Sequence, residues 1–93
     1  MATPEGRVKD AVKKVLKSYD AYYHMPVMNG MGAPTLDFVG CHRGRYFAIE
    51  TKAPGKVPTP RQWSTIINIR TAGGKVFIID GDTKELELWL LEW

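Results

Sequence analysis

Apolar residues near the start of the chain recur at a helical spacing: Val8, Ala11, Val12, Val15, Leu16 and Tyr19 fall at i, i+3, i+4, i+7, i+8 and i+11. One stripe of that period predicts an amphipathic helix over residues 4–19. Thr3-Pro4 supplies its start, a hydroxyl N-cap followed by a proline whose missing N–H is harmless in the first turn. The pattern then changes. Residues 21–28, rich in Tyr, Val and Met, predict a strand in which Pro26 suits a sheet edge. Asn29-Gly30, Gly32 and Pro34 predict a loop from Met28 to Thr35. Two short strands follow, over 36–41 and 45–53, joined tightly around Arg43-Gly44. Pro54, Gly55, Pro58 and Pro60 mark a rigid connection, and Thr59-Pro60 opens a second helix with Trp63, Ile66 and Ile67 facing inward. Gly73-Gly74 closes that helix, and Lys75 to Asp80 predicts a buried strand. Asp82 with Glu85 resembles a capping box, which predicts a last helix over 83–92, although the Glu85-Leu86-Glu87-Leu88 alternation also fits a strand. The order is α-β-β-β-α-β with an open tail, an α/β arrangement in which helices flank a small mixed sheet.

Alternation fixes which side chains share a face. In 45–53, Tyr46, Ala48, Glu50 and Lys52 point one way and Phe47 and Ile49 the other. A two-residue turn at Arg43-Gly44 sets His42 opposite Arg45, Gly40 opposite Phe47, Phe38 opposite Ile49 and Asp37 opposite Glu50. That register gathers two acids and a lysine on one face and large hydrophobes on the other; a one-residue slip breaks both groups. Carboxylates directly opposite each other repel unless something positive lies between them. A divalent cation such as Mg²⁺ fits that place, because it takes oxygen ligands and lowers the pKa of a bound water. Lys52 would reach the same centre, to hold the attacking water or to stabilise charge developing on a phosphate. The triplet alone is not specific: with each charged type near 6%, roughly one chain in four of this size carries it at loose spacing.

Composition narrows the class. The chain has 93 residues, 44% hydrophobic and 25% charged, which predicts one globular domain. No apolar run is long enough to span a membrane and no signal peptide opens the chain, so the expected location is the cytoplasm. Cys41 is alone, which excludes an internal disulfide and disfavours a thiolate metal cluster. The net charge is +3, and the positive residues cluster: Arg7, Lys9, Lys13, Lys14 and Lys17 share the polar face of the first helix with Asp10. Such a face is either a solvated surface or a strip that meets phosphates. His24 and His42 are not spaced as metal ligands; His42 is expected in the hairpin turn, and both read as incidental.

The surroundings of the triplet resemble the PD-(D/E)XK superfamily, in particular its compact VRR-NUC branch, found in phages and in DNA-repair enzymes. Gly32-Ala33-Pro34-Thr35-Leu36-Asp37 is similar to the family's glycine-proline-aspartate strand, with Thr35-Leu36 interposed where proline usually precedes aspartate directly. Phe47 to Pro54 resembles its second motif, twelve residues separating Asp37 from Glu50. Lys56, Pro58, Thr59 and Pro60 followed by Gln62 resemble its proline-rich approach to a helix bearing a glutamine, and the Gly73 to Ile79 strand follows. The resemblance implies a restriction-endonuclease-like core and a nuclease dependent on Mg²⁺ or Mn²⁺. Asp37, Glu50, Lys52 and Gln62 would be its catalytic residues, with metal held by Asp37, Glu50 and Glu5. Glu5 matches the acid many members carry on the first helix, although an acid there also favours the helix dipole. Gln62 would orient the water or touch DNA, although Thr59-x-x-Gln62 is also a capping box.

The expected partner is DNA, branched or four-way, gripped by Lys9, Lys13, Lys14, Lys17, Arg43, Arg45, Lys56 and Arg61. The resemblance also implies a homodimer acting in phage replication, recombination or repair. Its suspected contact surfaces are the loop around Met28 and Met31 and the Trp89-Leu90-Leu91 tail, which look too apolar for solvent. Two rival readings keep the fold without the chemistry: an inactive DNA-binding module, or an interaction protein acting on a host factor. Metal-dependent nicking of a plasmid separates the first rival from a nuclease, and absence of DNA affinity at low salt marks the second.

Overall fold

The computed structural model describes residues 3–27 and 34–92. Its elements run α1 (Pro4–Ser18), β1 (Tyr22–His24), β2 (Phe38–His42), β3 (Arg45–Thr51), α2 (Pro60–Thr71), β4 (Lys75–Ile79) and α3 (Lys84–Leu91). The strands form one sheet in the order β1-β2-β3-β4. β1 to β3 are antiparallel neighbours and β4 is parallel to β3, as a crossover through α2 requires.

The starts of α1 and α2 follow their sequence signals. Thr3 Oγ1 accepts from Gly6 N, and Pro4 occupies the first turn. At α2, Thr59 and Gln62 form the reciprocal capping box. The tail is a helix, but not by the expected box: its N-cap is Thr83, without a side-chain cap bond, while Asp82 Oδ1 accepts from Lys84 N. Apolar positions that alternate along a strand instead fall at 86, 89 and 90, where Leu86, Trp89 and Leu90 are buried on one helical face.

The sheet separates two cores. Phe38, Phe47, Ile49, Phe77 and Ile79 pack on one face against Val8, Val12 and Leu16 of α1 and Leu86, Trp89 and Leu90 of α3. Ala48 and Val76 pack on the other face with Leu36 and with Ile66 of α2. Three expectations change here. Of the three α2 residues expected inside, Ile66 is buried whereas Trp63 and Ile67 are exposed, because a helix lying flat on small Ala48 and Val76 needs only a narrow stripe. Trp89 and Leu90 belong to the core rather than to an apolar tail surface, and only Leu91 of that trio is exposed. The predicted 21–28 strand contracts to Tyr22–His24; the suspected loop at Met28 and Met31 lies outside the described residues.

The β2–β3 register is the one read from alternation: Phe38↔Ile49, Gly40↔Phe47 and His42↔Arg45. Arg43 and Gly44 both have positive φ, 54° and 81°, as a two-residue hairpin turn of the primed type demands. His42 is therefore not in the turn but ends β2, buried, and its Nε2 donates to the carbonyl of Leu90 at 2.9 Å. Gly40 is where β1 comes closest, since a Cβ there would overlap the carbonyl oxygen of Tyr22 and the Tyr23 backbone.

Candidate active site

One step past the last β2–β3 pair, Phe38↔Ile49, Asp37 enters β2 and Glu50 approaches the end of β3. The chain folds this way because Phe38 and Ile49 are drawn into the α1/α3 core, which leaves their polar neighbours at the sheet margin. Asp37 is held rather than loose. Its Oδ2 accepts from the backbone N of Thr51 at 2.9 Å and from the Thr51 hydroxyl at 2.7 Å. Thr51, wholly buried, was not singled out from sequence, although it is the residue between Glu50 and Lys52. Its function emerges only when β2 is laid beside β3.

Glu50 is almost fully buried, and its carboxylate meets Lys52 Nζ at 3.5 Å. Lys52 is fixed by its own backbone, whose N–H donates to the carbonyl of Ile79 on β4. Burial is the main reason that Glu50 is pushed up to a pKa of about 7; the charge of Asp37 raises it further, Lys52 opposes, and Glu5 adds a smaller rise. Asp37, Lys52 and Glu5 thus all act electrostatically on Glu50.

Lys9, expected on a phosphate-facing strip, instead turns toward this centre. Its Nζ lies 3.3 Å from Glu5 Oε2 and 3.9 Å from Asp37 Oδ1. The signal was readable in part, since Glu5 and Lys9 stand at the i,i+4 spacing that pairs them on a helix. Among the described residues no group of three or more acid, histidine or cysteine side chains is placed so that it could hold a metal ion. Asp37, just before β2, and Glu50 on β3 are the two acids brought together, and Glu5 of α1 is linked to Asp37 through Lys9.

The remaining predicted site residues lie elsewhere. Gln62 Oε1 accepts from Thr59 N inside the capping box. Lys13 pairs with Asp10 at 4.0 Å, and Lys14 and Lys17 are exposed on α1. Arg61 lines an open groove of about 650 Å³ along α2, with Pro34, Tyr46, Ser64 and Asn68 among its other walls. Lys56 is exposed in the connection before α2. Arg43 and Arg45 are engaged instead of free at the hairpin tip. Arg43 Nη1 donates to Glu92 O, Arg45 Nη2 donates to Trp89 O and Glu92 O, and the Arg45 guanidinium stacks 4.1 Å over the Trp89 ring. Both cations thus serve the carboxyl end of α3, where helix carbonyls lack partners.

A mixed four-stranded sheet between helices, with acids and a lysine at the β2/β3 margin, defines the class of fold. No family model matches the chain, and no curated protein matches it. Among solved structures the chain is similar to one described as a VRR_NUC domain, with a TM-score of 0.77 and 23% identity over 99% of both chains. The chain has the fold of that domain.

Proposed function

We propose that this chain is a metal-dependent DNA endonuclease with Asp37, Glu50 and Lys52 at its centre. The observation that carries the reading is the buried Glu50 beside Asp37, two carboxylates whose joint ionisation folding alone leaves unfavourable. That donor set fits Mg²⁺ or Mn²⁺, hard ions that take oxygen ligands and accept one or two protein carboxylates alongside waters and phosphate oxygens. Asp37 and Glu50 would hold the ion, with Glu5 joining from α1. Bound there, it supplies a water of lowered pKa and neutralises phosphate charge.

The chain's own residues do the rest. Thr51 keeps Asp37 in one rotamer by occupying Oδ2, so Oδ1 is the oxygen turned to the centre. Lys52, fixed by its backbone bond to β4, presents its ammonium where a phosphoryl oxygen gains charge and where an attacking water is held. Gln62 keeps its side-chain amide N–H groups as donors to a DNA phosphate, since the cap uses only its carbonyl oxygen. Lys13, Lys14 and Lys17 on α1, with Lys56 and Arg61 beside α2, would track the backbone without reading sequence. The preferred substrate is branched DNA, four-way junctions included, cut by a two-fold homodimer.

The decisive experiment is a cleavage panel of single-stranded, linear duplex, flap and four-way DNA with Mg²⁺, Mn²⁺ or chelator. Metal-dependent cutting by wild type, lost in Asp37→Asn, is the expected result. Equal cutting in chelator, or none of any substrate, removes the reading.

A further inference from the structure

Three carboxylates and two ammoniums converge on the site, and the two lysines are not equivalent. Lys52 has a side chain only 13% exposed, pairs with Glu50, and springs from a backbone bonded to β4. Lys9 has a side chain 31% exposed on the solvent-facing edge of α1, and its ammonium spans Glu5 and Asp37 at 3.3 and 3.9 Å. Because Thr51 occupies Oδ2 of Asp37, Oδ1 is the oxygen that remains for a cation, and it is the one Lys9 faces. We propose that Lys9 is the resident counter-ion of this site, a positioning residue that holds Glu5 and Asp37 together without metal and must withdraw for a divalent ion to bind. The inference rests on the metal-dependent reading above.

The charge count supports exchange over coexistence. With all three acids ionised, as they would be around a bound cation, three carboxylates facing two ammoniums leave one negative charge uncompensated, and a divalent ion added beside both lysines would reverse the sign. Withdrawal of Lys9 restores the balance. Its four-carbon stem is flexible and its partners are partly exposed, 43% for Glu5 and 24% for Asp37, so release costs little, whereas Lys52 is more deeply buried. Metal loading and a free ammonium at the mouth of the site would then be one event, with Lys9 joining Lys13 on the surface that meets DNA.

The test compares wild type, Lys9→Gln and Lys9→Arg in Mn²⁺ binding by calorimetry, and in thermal unfolding in chelator at low salt. Partly exposed ion pairs are each worth about 0.2–1 kcal/mol, so removing two competing pairs should tighten Mn²⁺ binding by about two- to thirtyfold in Lys9→Gln. Lys9→Arg, which keeps the charge, should bind as weakly as wild type. In chelator Lys9→Gln should melt lower than wild type, and Lys9→Gln combined with Asp37→Asn should recover that loss. If wild type binds Mn²⁺ and Lys9→Gln binds it no more tightly, the competition is disproved while the nuclease reading stands. If none of the three proteins binds Mn²⁺, the metal-dependent reading falls and takes the competition with it.

Discussion

Glu50 and Asp37 are adjoining acids in different surroundings. Asp37 has two hydrogen-bond donors from Thr51, whereas Glu50 is buried with one lysine and two like charges nearby. A carboxyl raised from 4.5 to about 7 binds its proton more tightly in the folded chain than in the unfolded one. Its contribution is therefore fully present below about pH 4.5 and is lost as pH rises through 7. Each pKa unit is worth about 1.4 kcal/mol, which makes the loss roughly 3 kcal/mol. In chelator, wild type should weaken across that window, and Glu50→Gln should be flat there and more stable at pH 8, as measured by urea unfolding. Equal pH profiles would show that Glu50 titrates normally.

Cleavage should respond differently from stability at the same residues. Asp37→Asn, Glu50→Gln and Lys52→Ala should each abolish cutting while leaving the circular-dichroism spectrum intact. The two acids should also lose Mn²⁺ binding, whereas Lys52→Ala should keep it. Normal cutting by Asp37→Asn would sink the site assignment. The grouping of these three side chains was legible in the sequence, because alternation and a two-residue turn place them on one face. Thr51 and the reach of Lys9 to Asp37, beyond its i,i+4 pairing with Glu5, were not. The first serves a residue fourteen positions earlier and the second reaches across from a helix, so neither follows from the pattern of its own element.

At the level of elements, the legible parts were those fixed by local chemistry: the caps of α1 and α2, the primed turn and the hairpin register. The tail was ambiguous because its fate depends on partners 44 to 49 residues away, His42, Arg43 and Arg45, which satisfy carbonyls of residues 89, 90 and 92. The hairpin that carries the site therefore also holds α3. Gly40 shows the same dependence, since β1 crosses where any Cβ would meet backbone. Gly40→Ala should destabilise the chain by about 3 kcal/mol or more, at the upper end of overpacking costs, read as a lowered urea midpoint. A loss below about 1 kcal/mol would mean β1 moves aside freely. On α1, the exposed lysines are separable from the site. Neutralising Lys13, Lys14 and Lys17 together should weaken binding to every DNA alike and reduce the salt slope by up to about 0.9 per lost phosphate contact. An unchanged slope would return them to a solvated face.

For the molecule as a whole, charge and shape bear on how the proposed DNA substrate would be approached. From Thr51 to Ile79 the chain carries Lys52, Lys56, Arg61, Arg70 and Lys75 and no acid, so α2 and its flanks form a second basic stretch on the opposite side of the sheet from α1. A 93-residue chain nevertheless offers a small footprint, and a second copy would extend it. The two-fold pair is the commonest closed assembly, and two identical sites about such an axis suit the opposed strands of a four-way junction. Trp89 and Leu90 cannot supply the contact, because they are core. Exposed apolar side chains beside the edge strand can: Tyr22 is 70% and Val27 88% exposed. Light scattering at micromolar concentration should give twice the 10.5 kDa chain mass, and Tyr22→Asp with Val27→Asp should return it to one chain. A wild-type mass near 10.5 kDa would end the dimer. If the dimer is what selects junctions, the double variant should still nick linear duplex while losing its preference for four-way DNA. Linear duplex cut by wild type as fast as a junction would mean that pairing serves stability and not choice of substrate.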